Sequence, residues 1–371
     1  MKKQNILLVG EFSNVHWTLA EGLRSLGHQV DVASKGDGWK GYKRDIDLSF
    51  KNKLDVMRFF LELFFTKKFS GYDVVQLINF RFLYPEERDL YNKIIFNVLR
   101  KRNKSVFLAA YGDDYYWSSA CRSGAFPYSP YDALDKGYAP NVYYDQMMQL
   151  NNFASRELNE MMAQKSNGII AGLYDYYYSY AISSFKNKLE FIPFPINTKE
   201  ISYKKNTLNQ GEKMRIFMGI QTQRSVWKGT DVLLQVLTEY VAKYSDEMEL
   251  IIAESVPFDT YIKMYEDAHV FVDQLYSQGF AMNALYAMAK GKVVLSGGEN
   301  KMYALYGDSE IEKPVINIVP EKEKIIGVLD QIRQNKNRLE EMGLASRKFV
   351  EQYHDYKVVA RQYVQVWESA I

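Results

Sequence analysis

Residues 270–298, VFVDQLYSQGFAMNALYAMAKGKVVLSGG, read as strand, glycine-containing turn, helix, tight turn and second strand. Val270, Phe271 and Val272 form a short apolar strand, and Ser277, Gln278 and Gly279 make the turn. Met282, Leu285 and Ala289 then keep a helical period that Gly291 closes before the apolar run 293–295. The small residues Ala284, Ala287 and Ala289 allow that helix to lie close on a sheet. Its N-terminus, following Gly279, presents free backbone N–H groups at the carboxyl ends of the strands, an arrangement that attracts phosphate. The same spacing also fits a βαβ crossover with nothing bound. Either way the stretch specifies an α/β fold with a parallel sheet.

Working outward, 371 residues suffice for two α/β domains with a core each. The 47 basic and 45 acidic residues leave a net charge of +2, which argues against nucleic acid or another polyanion as the main partner. A single cysteine, Cys121, excludes an internal disulfide and suits a reducing cytoplasm. The apolar run 6–9 is too short for a signal peptide, and no run approaches a membrane span. Four histidines and one cysteine form no zinc pattern, and neither a P-loop nor a nucleophile elbow is present. The expectation is a cytoplasmic protein without metal or cofactor. Its 29 tyrosines reflect either base composition or a surface on which sugar rings stack.

The first half opens with a strand at 5–9, a Gly10-Glu11-Phe12-Ser13-Asn14 turn, a helix to about residue 26 and a strand at 30–33. No G-x-G-x-x-G follows Gly10, so this is not a dinucleotide fingerprint. Asn14 reads as a helix N-cap, and His16 as either a satisfied histidine or one facing a ligand. Asp45 and Asp47 form a D-x-D within a charged segment and read as solvated loop. Residues 54–65 form a helix with Leu54, Met57, Leu61 and Phe64 on one stripe, flanked by Lys51, Lys53, Arg58, Lys67 and Lys68. Core packing and peripheral contact with an anionic membrane are both open for it. A helix at 86–102 leads to a strand at 105–108, whose carboxyl end carries Tyr111-Gly112-Asp113-Asp114-Tyr115-Tyr116-Trp117. The segment 118–144, with Phe126, Tyr128, Tyr131, Tyr138, Tyr143 and Tyr144, is expected to lack regular structure and to offer stacking surface within the first domain. A helix at 144–164 follows, then the run Pro193-Phe194-Pro195-Ile196-Asn197 and a polar linker at 199–213.

The second half opens with a strand at 215–219, then Arg224, Lys228 and Gly229 directly before a helix. Two cations leaving a strand together either clamp a diphosphate or form a solvated basic loop. Glu254 and Val256 lie in the next strand-to-helix loop, and Glu299 stands at a strand's carboxyl end after Gly297-Gly298.

Several of these pieces together resemble the retaining group-one family of GT-B glycosyltransferases. Gln278-Gly279-Phe280-Ala281 with 285–294 is similar to that family's E-G-F-G and L-E-A-M-A-x-G-x-P-V-V signature, with Gln278 and Tyr286 in place of its glutamate pair. Residues 224–229 resemble its diphosphate clamp, and 111–114 its H-G-x-D turn with Tyr111 in the histidine position. Residues 193–197 resemble its interdomain hinge. The resemblance implies two Rossmann-like domains facing one another across a cleft, 1–197 for the acceptor and 198–355 for the donor, with 356–371 packing back on the first. It implies Arg224 and Lys228 on the diphosphate, with Asp113 or Asp114 orienting or deprotonating the acceptor. Donor contacts fall to Glu254, Val256, Gln278, Gly279, Phe280, Ala281, Met282 and Asn283, with Glu299 supplying the missing carboxylate. Acceptor contacts fall to Glu11, Asn14, Tyr111, Tyr116 and Trp117. The implied activity is transfer from a UDP- or GDP-linked sugar to a glycan or lipid-linked acceptor of a surface polysaccharide or glycoconjugate, with retention and without metal. A nucleotide-sugar 2-epimerase on the same fold, short of histidines here, and a catalytically silent sugar-binding or partner subunit are the alternatives.

Overall fold

The computed structural model describes residues 2–83, 89–134, 142–256 and 258–370. The start of the helix expected from residue 86, Tyr138 and Pro257 lie outside the described residues. The chain divides into two compact units: unit 1 takes Met1–Ser119, Met147–Pro195 and Asp355–Ile371, and unit 2 takes Ala120–Gln146 and Ile196–His354.

Unit 1 is built on seven parallel strands, β1 (Asn5–Val9), β2 (Gln29–Ser34), β3 (Ile46–Asp47), β4 (Val74–Leu77), β5 (Val106–Ala110), β6 (Gly168–Ala171) and β7 (Leu189–Phe191). Their order is β3-β2-β1-β4-β5-β6-β7. Ile6, Leu7, Leu8 and Val9 are all buried, as expected of a strand covered on both faces. The D-x-D lies on a sheet edge rather than in a loop, while both of its aspartates are exposed as expected. Ile46 and Asp47 pair with Ala33 and Ser34, and the Asp45 carboxylate accepts from the Val32 N–H at 2.8 Å. The Arg44 guanidinium hydrogen-bonds Asp47 and holds its pKa down to about 2.

The helix Val15–Ser25 packs against the C-terminal helix Tyr356–Ser369, whose Val359, Tyr363 and Trp367 are fully buried. Gly22 permits the close approach, since a Cβ there would lie 2.2 Å from the Tyr356 carbonyl oxygen. The helix Lys53–Phe65 turns the other way from a core helix. Asn52 and Asp55 close its N-terminus as a capping box, and Phe59 and Leu63 are its buried residues. Phe59 packs on the rings of Phe50 and Phe69, which leaves the Leu54, Met57, Leu61 and Phe64 stripe exposed, with Phe65 at 80% beside it.

Unit 2 carries five parallel strands, β8 (Met214–Ile220), β9 (Met248–Glu254), β10 (Val270–Val272), β11 (Val293–Ser296) and β12 (Val315–Asn317), in the order β12-β11-β10-β8-β9. Its core gathers Ile216, Met218, Leu237, Val270, Leu295 and Leu329. The segment 118–144 departs from expectation twice. It contains the end of the helix Tyr115–Arg122, the helix Pro130–Leu134 and the start of Val142–Gln149, and Ala120–Gln146 belongs to unit 2 rather than to the first domain. The reason is partner choice: Tyr131 meets Trp227 edge to face, with ring centroids 5.4 Å apart. The single helix expected at 144–164 is two, Val142–Gln149 and Phe153–Lys165, the second capped by the Asn152 side chain on the Ser155 N–H at 2.8 Å. Where the chain enters and leaves the long piece of unit 2, the Ile196 N–H donates to the His354 carbonyl at 2.7 Å.

Candidate functional site

In unit 2 the chain runs from β8 outward to β9, then crosses to β10 and continues outward through β11 and β12. Connections therefore diverge between β8 and β10, and the loops leaving these two strands flank a crevice of the kind that binds ligands in open parallel sheets. The loop after β8 forms a 3-10 turn, Thr222–Arg224, and one helical turn, Ser225–Lys228, before Gly229. Gly229 has φ +70°, and a Cβ on it would lie 2.7 Å from the Leu275 Cβ. That position admits only glycine without displacement, because the loop after β10 is drawn against it. The Leu275 N–H donates to the Lys228 carbonyl at 2.8 Å, tying the two loops together. Arg224 and Lys228 are half-buried on this tie. Asp273, directly after β10, is buried beneath: desolvation pushes its carboxyl pKa up, while the Lys228 charge and a 3.3 Å hydrogen bond from Ser296 pull it down. Thr222 bonds the Glu254 carboxylate at 3.1 Å and the Ser255 hydroxyl at 3.0 Å, which brings in the loop after β9. Glu254 is exposed and Val256 half-buried.

The loops after β10 and β11 are also joined. The Glu299 N–H donates to the Gln278 carbonyl at 3.1 Å, and a Cβ on Gly297 would lie 2.1 Å from the Ser277 carbonyl oxygen. Gln278 is buried and its amide donates to the Tyr128 carbonyl at 2.9 Å. The Glu299 Oε1 accepts from Asn317 at 2.8 Å and from the Tyr128 hydroxyl at 3.3 Å. Phe280 does not face this crevice: it is buried with Tyr303, Phe349 and His354, in ring contacts of 5.9–6.3 Å. Met282 is likewise buried at the start of the helix Met282–Ala289, Ala281 stands at its N-cap, and Asn283 is exposed on its first turn. Gly279 is held by its N–H on the Ser277 hydroxyl.

Unit 1 has a corresponding divergence between β1 and β4. Gly10 leaves β1 with φ +88°, and Ser13 and Asn14 also take the left-handed region. Asn14 stands at the N-cap position without capping; its amide goes to Thr18 instead. The Glu11 carboxylate takes over that role, accepting from the N–H groups of His16 and Trp17 at 3.3 and 2.9 Å. Burial pushes the Glu11 pKa up to about 8 against the pull of these bonds. His16 is a satisfied core histidine, bridging the Gly10 carbonyl at 2.8 Å and Gln76 at 3.4 Å, and desolvation lowers its pKa to about 3. Tyr111 is buried between His16 and Phe194.

Asp114 is structural rather than accessible to an acceptor. It is 2% exposed, accepts from the Trp117 N–H at 2.8 Å and the Tyr180 hydroxyl at 2.7 Å, and burial raises its pKa to about 6. Trp117 is buried as well, and Tyr116 packs on Tyr180 and Phe185. Asp113, half-buried, accepts from the Tyr176 hydroxyl at 3.0 Å and is the member of the pair that a ligand could reach.

No family model and no curated protein sequence matches the chain. Solved structures do. HepE from Anabaena in complex with UDP-glucose is 11% identical, with 99% of this chain and 100% of that one covered and a TM-score of 0.61. Sucrose-phosphate synthase from Thermosynechococcus elongatus is 13% identical over 99% of both chains with a TM-score of 0.58. The catalytic domain of starch synthase IV from Arabidopsis thaliana, bound to ADP and acarbose, is 10% identical over 100% of this chain and 99% of that one, with a TM-score of 0.57. The chain has the GT-B fold. At these identities the likeness speaks to architecture alone, and the chemistry has to come from side chains.

Within this GT-B chain the crevice of unit 2 brings together the loops of Arg224 and Lys228, of Gln278 and Gly279, and of Glu299, with Glu254 at the margin. Two residues of the same crevice, Asp273 and Asn317, escaped sequence reading, and Tyr128 was read as stacking surface of the first domain rather than as part of this crevice. Asp273 had a signal, an acid set immediately after an apolar strand. Asn317 had none, and the place of Tyr128 here depends on contacts 150 and 171 residues away in the chain.

Proposed function

We propose that the protein is a glycosyltransferase that takes a sugar from a UDP- or GDP-linked donor, with unit 2 holding the nucleotide. The observation that carries this reading is the placement of Arg224 and Lys228 on the tied loops at the β8/β10 divergence. Arg224 offers a planar fork and Lys228 a compact charge to a departing diphosphate. In the reaction the bond from sugar C1 to the diphosphate oxygen breaks with its electron pair on that oxygen. A bond from C1 to the acceptor oxygen forms, and the acceptor proton ends on the diphosphate. With no carboxylate assigned as nucleophile, attack on the face that the diphosphate leaves, with retention, is the reading adopted. The two cations supply the charge that a metal supplies elsewhere, so turnover should survive a chelator. HepE's complex with UDP-glucose supports the donor class.

Calorimetry with UDP, GDP and ADP, beside their nucleosides, tests the reading. One diphosphate should bind, and Arg224→Ala and Lys228→Ala should weaken it while leaving nucleoside binding alone. If both variants bind the diphosphate as the unaltered chain does, the assignment of this loop fails. Following diphosphate release from nucleotide sugars separates a transferase, which hydrolyses them slowly, from an epimerase, which gives an isomer without diphosphate, and from a silent subunit, which gives neither.

The acceptor is read as a glycan or lipid-linked glycan of a surface polysaccharide or glycoconjugate. Support comes from the helix Lys53–Phe65, whose exposed Leu54, Met57, Leu61, Phe64 and Phe65 are surrounded by exposed Lys51, Lys53, Arg58, Lys67 and Lys68. An apolar face ringed by cations suits the anionic inner leaflet of a membrane, where it would bind peripherally. Among the described residues no helix is long and apolar enough to cross a membrane.

A further inference from the structure

The chain passes from unit 1 into unit 2 at Ala120 and returns at Met147, and residues 120–134 of this excursion reach three loops at the carboxyl edge of the second sheet. The helix Pro130–Leu134 packs against Ser225–Lys228, with Tyr131 on Trp227 and the Arg122 guanidinium 5.4 Å from the Tyr131 ring centroid. The Tyr128 carbonyl accepts from the Gln278 amide, and the Tyr128 hydroxyl donates to Glu299 Oε1. The first of these bonds accounts for the amide at position 278. A glutamine can donate to a main-chain carbonyl, whereas an ionised glutamate would set oxygen against oxygen. The second bond has a geometric result. Tyr128 and Asn317 both donate to Oε1, so Oε2 of this half-buried carboxylate carries no protein hydrogen bond among the described residues.

We infer that residues 120–134 are a strap completing the donor site, and that Tyr128 is a positioning residue that turns Glu299 Oε2 toward a hydroxyl of the donor's ribose or sugar. The inference deepens the donor reading and depends on it. A carboxylate held through one oxygen accepts a hydroxyl with the other at little cost in ordering, and a strap fixed at Gln278 keeps it there. Tyr128 acts through Glu299 rather than on the donor, which a double-substitution cycle can detect.

The experiment uses the full chain and whichever of UDP, UDP-glucose, GDP and GDP-mannose it binds most tightly. Tyr128→Phe removes one hydroxyl and keeps the ring; affinity should fall about three- to tenfold, the scale of one lost hydrogen bond. Glu299→Gln should weaken binding at least as much, and the double variant should be no weaker than Glu299→Gln alone. Gln278→Glu, which breaks the other tether, should also lower affinity. Unchanged affinity in Tyr128→Phe, or losses that add in the double variant, overturns the strap while the donor reading stands, provided Lys228→Ala still loses the ligand. If the unaltered chain binds none of the four, the donor reading falls and the strap falls with it.

Discussion

On the proposed reading Arg224 and Lys228 offer a leaving diphosphate different contacts, and the difference is measurable. A charge-assisted contact that strengthens as the phosphate departs is worth roughly 2.7–4 kcal/mol, so either alanine substitution should lower turnover about a hundredfold or more. Arg224→Lys should also impair turnover, because charge is kept while the fork is lost. A steady-state assay of diphosphate release reads both. Glu11 gives a prediction of another kind. Its folded pKa, raised by burial from 4.5 to about 8, means that the folded chain binds its proton more tightly than the unfolded chain. Stability from this group is therefore greatest below pH 4.5 and falls as pH rises through the window to about 8. Glu11→Gln should flatten that part of the slope, as read from urea midpoints across the window. An unchanged slope would show that the carboxylate is ionised in the fold.

At the scale of elements, the helix Lys53–Phe65 carries the sharpest prediction. Leu61→Ser and Phe65→Ser alter exposed side chains, so thermal melting should hold while sedimentation with vesicles containing anionic lipid declines. Equal sedimentation of parent and variants would remove the membrane reading. The same helix shows what a sequence pattern can and cannot carry. Strands β1, β5, β6, β10 and β11 were readable because burial on both faces leaves an unbroken apolar run, and Gly229 because a glycine before a helix signals a tight exit. Helical period gives a stripe but not its partner: four apolar residues marked one face here, and Phe59 and Leu63 are what the protein buries. The crevice at the β8/β10 divergence was legible where its residues follow a strand, as at 224–229, 278–279 and 299. The pairing of Tyr128 was not, since it meets Gln278 across 150 residues and Glu299 across 171, and no local spacing encodes such a pairing. Asp114 misled for the opposite reason, because an acid after a strand reads the same whether it faces a ligand or caps a helix.

For the whole molecule, the terminal helix Tyr356–Ser369 is the element to remove. Trp367, Tyr363, Val359 and Val364 are fully buried in unit 1, and losing one large core side chain alone costs about 3–5 kcal/mol. Deleting 355–371 should therefore exceed the usual stability of a domain, about 5–15 kcal/mol, and leave a chain that aggregates or binds a hydrophobic dye. A cooperative melt in the truncated chain would show that unit 1 closes without it.

The excursion of residues 120–146 into unit 2 also sets a timetable for synthesis. Tyr128 and Tyr131 leave the ribosome long before Gln278 and Glu299 exist, and at about 5–20 residues per second the wait is on the order of ten to thirty seconds. Unit 1 waits longer still, for its last helix. Neither unit can close until the segments that complete it have been made, so the aromatic residues of 120–134 stay exposed to chaperones or to neighbouring chains in the meantime.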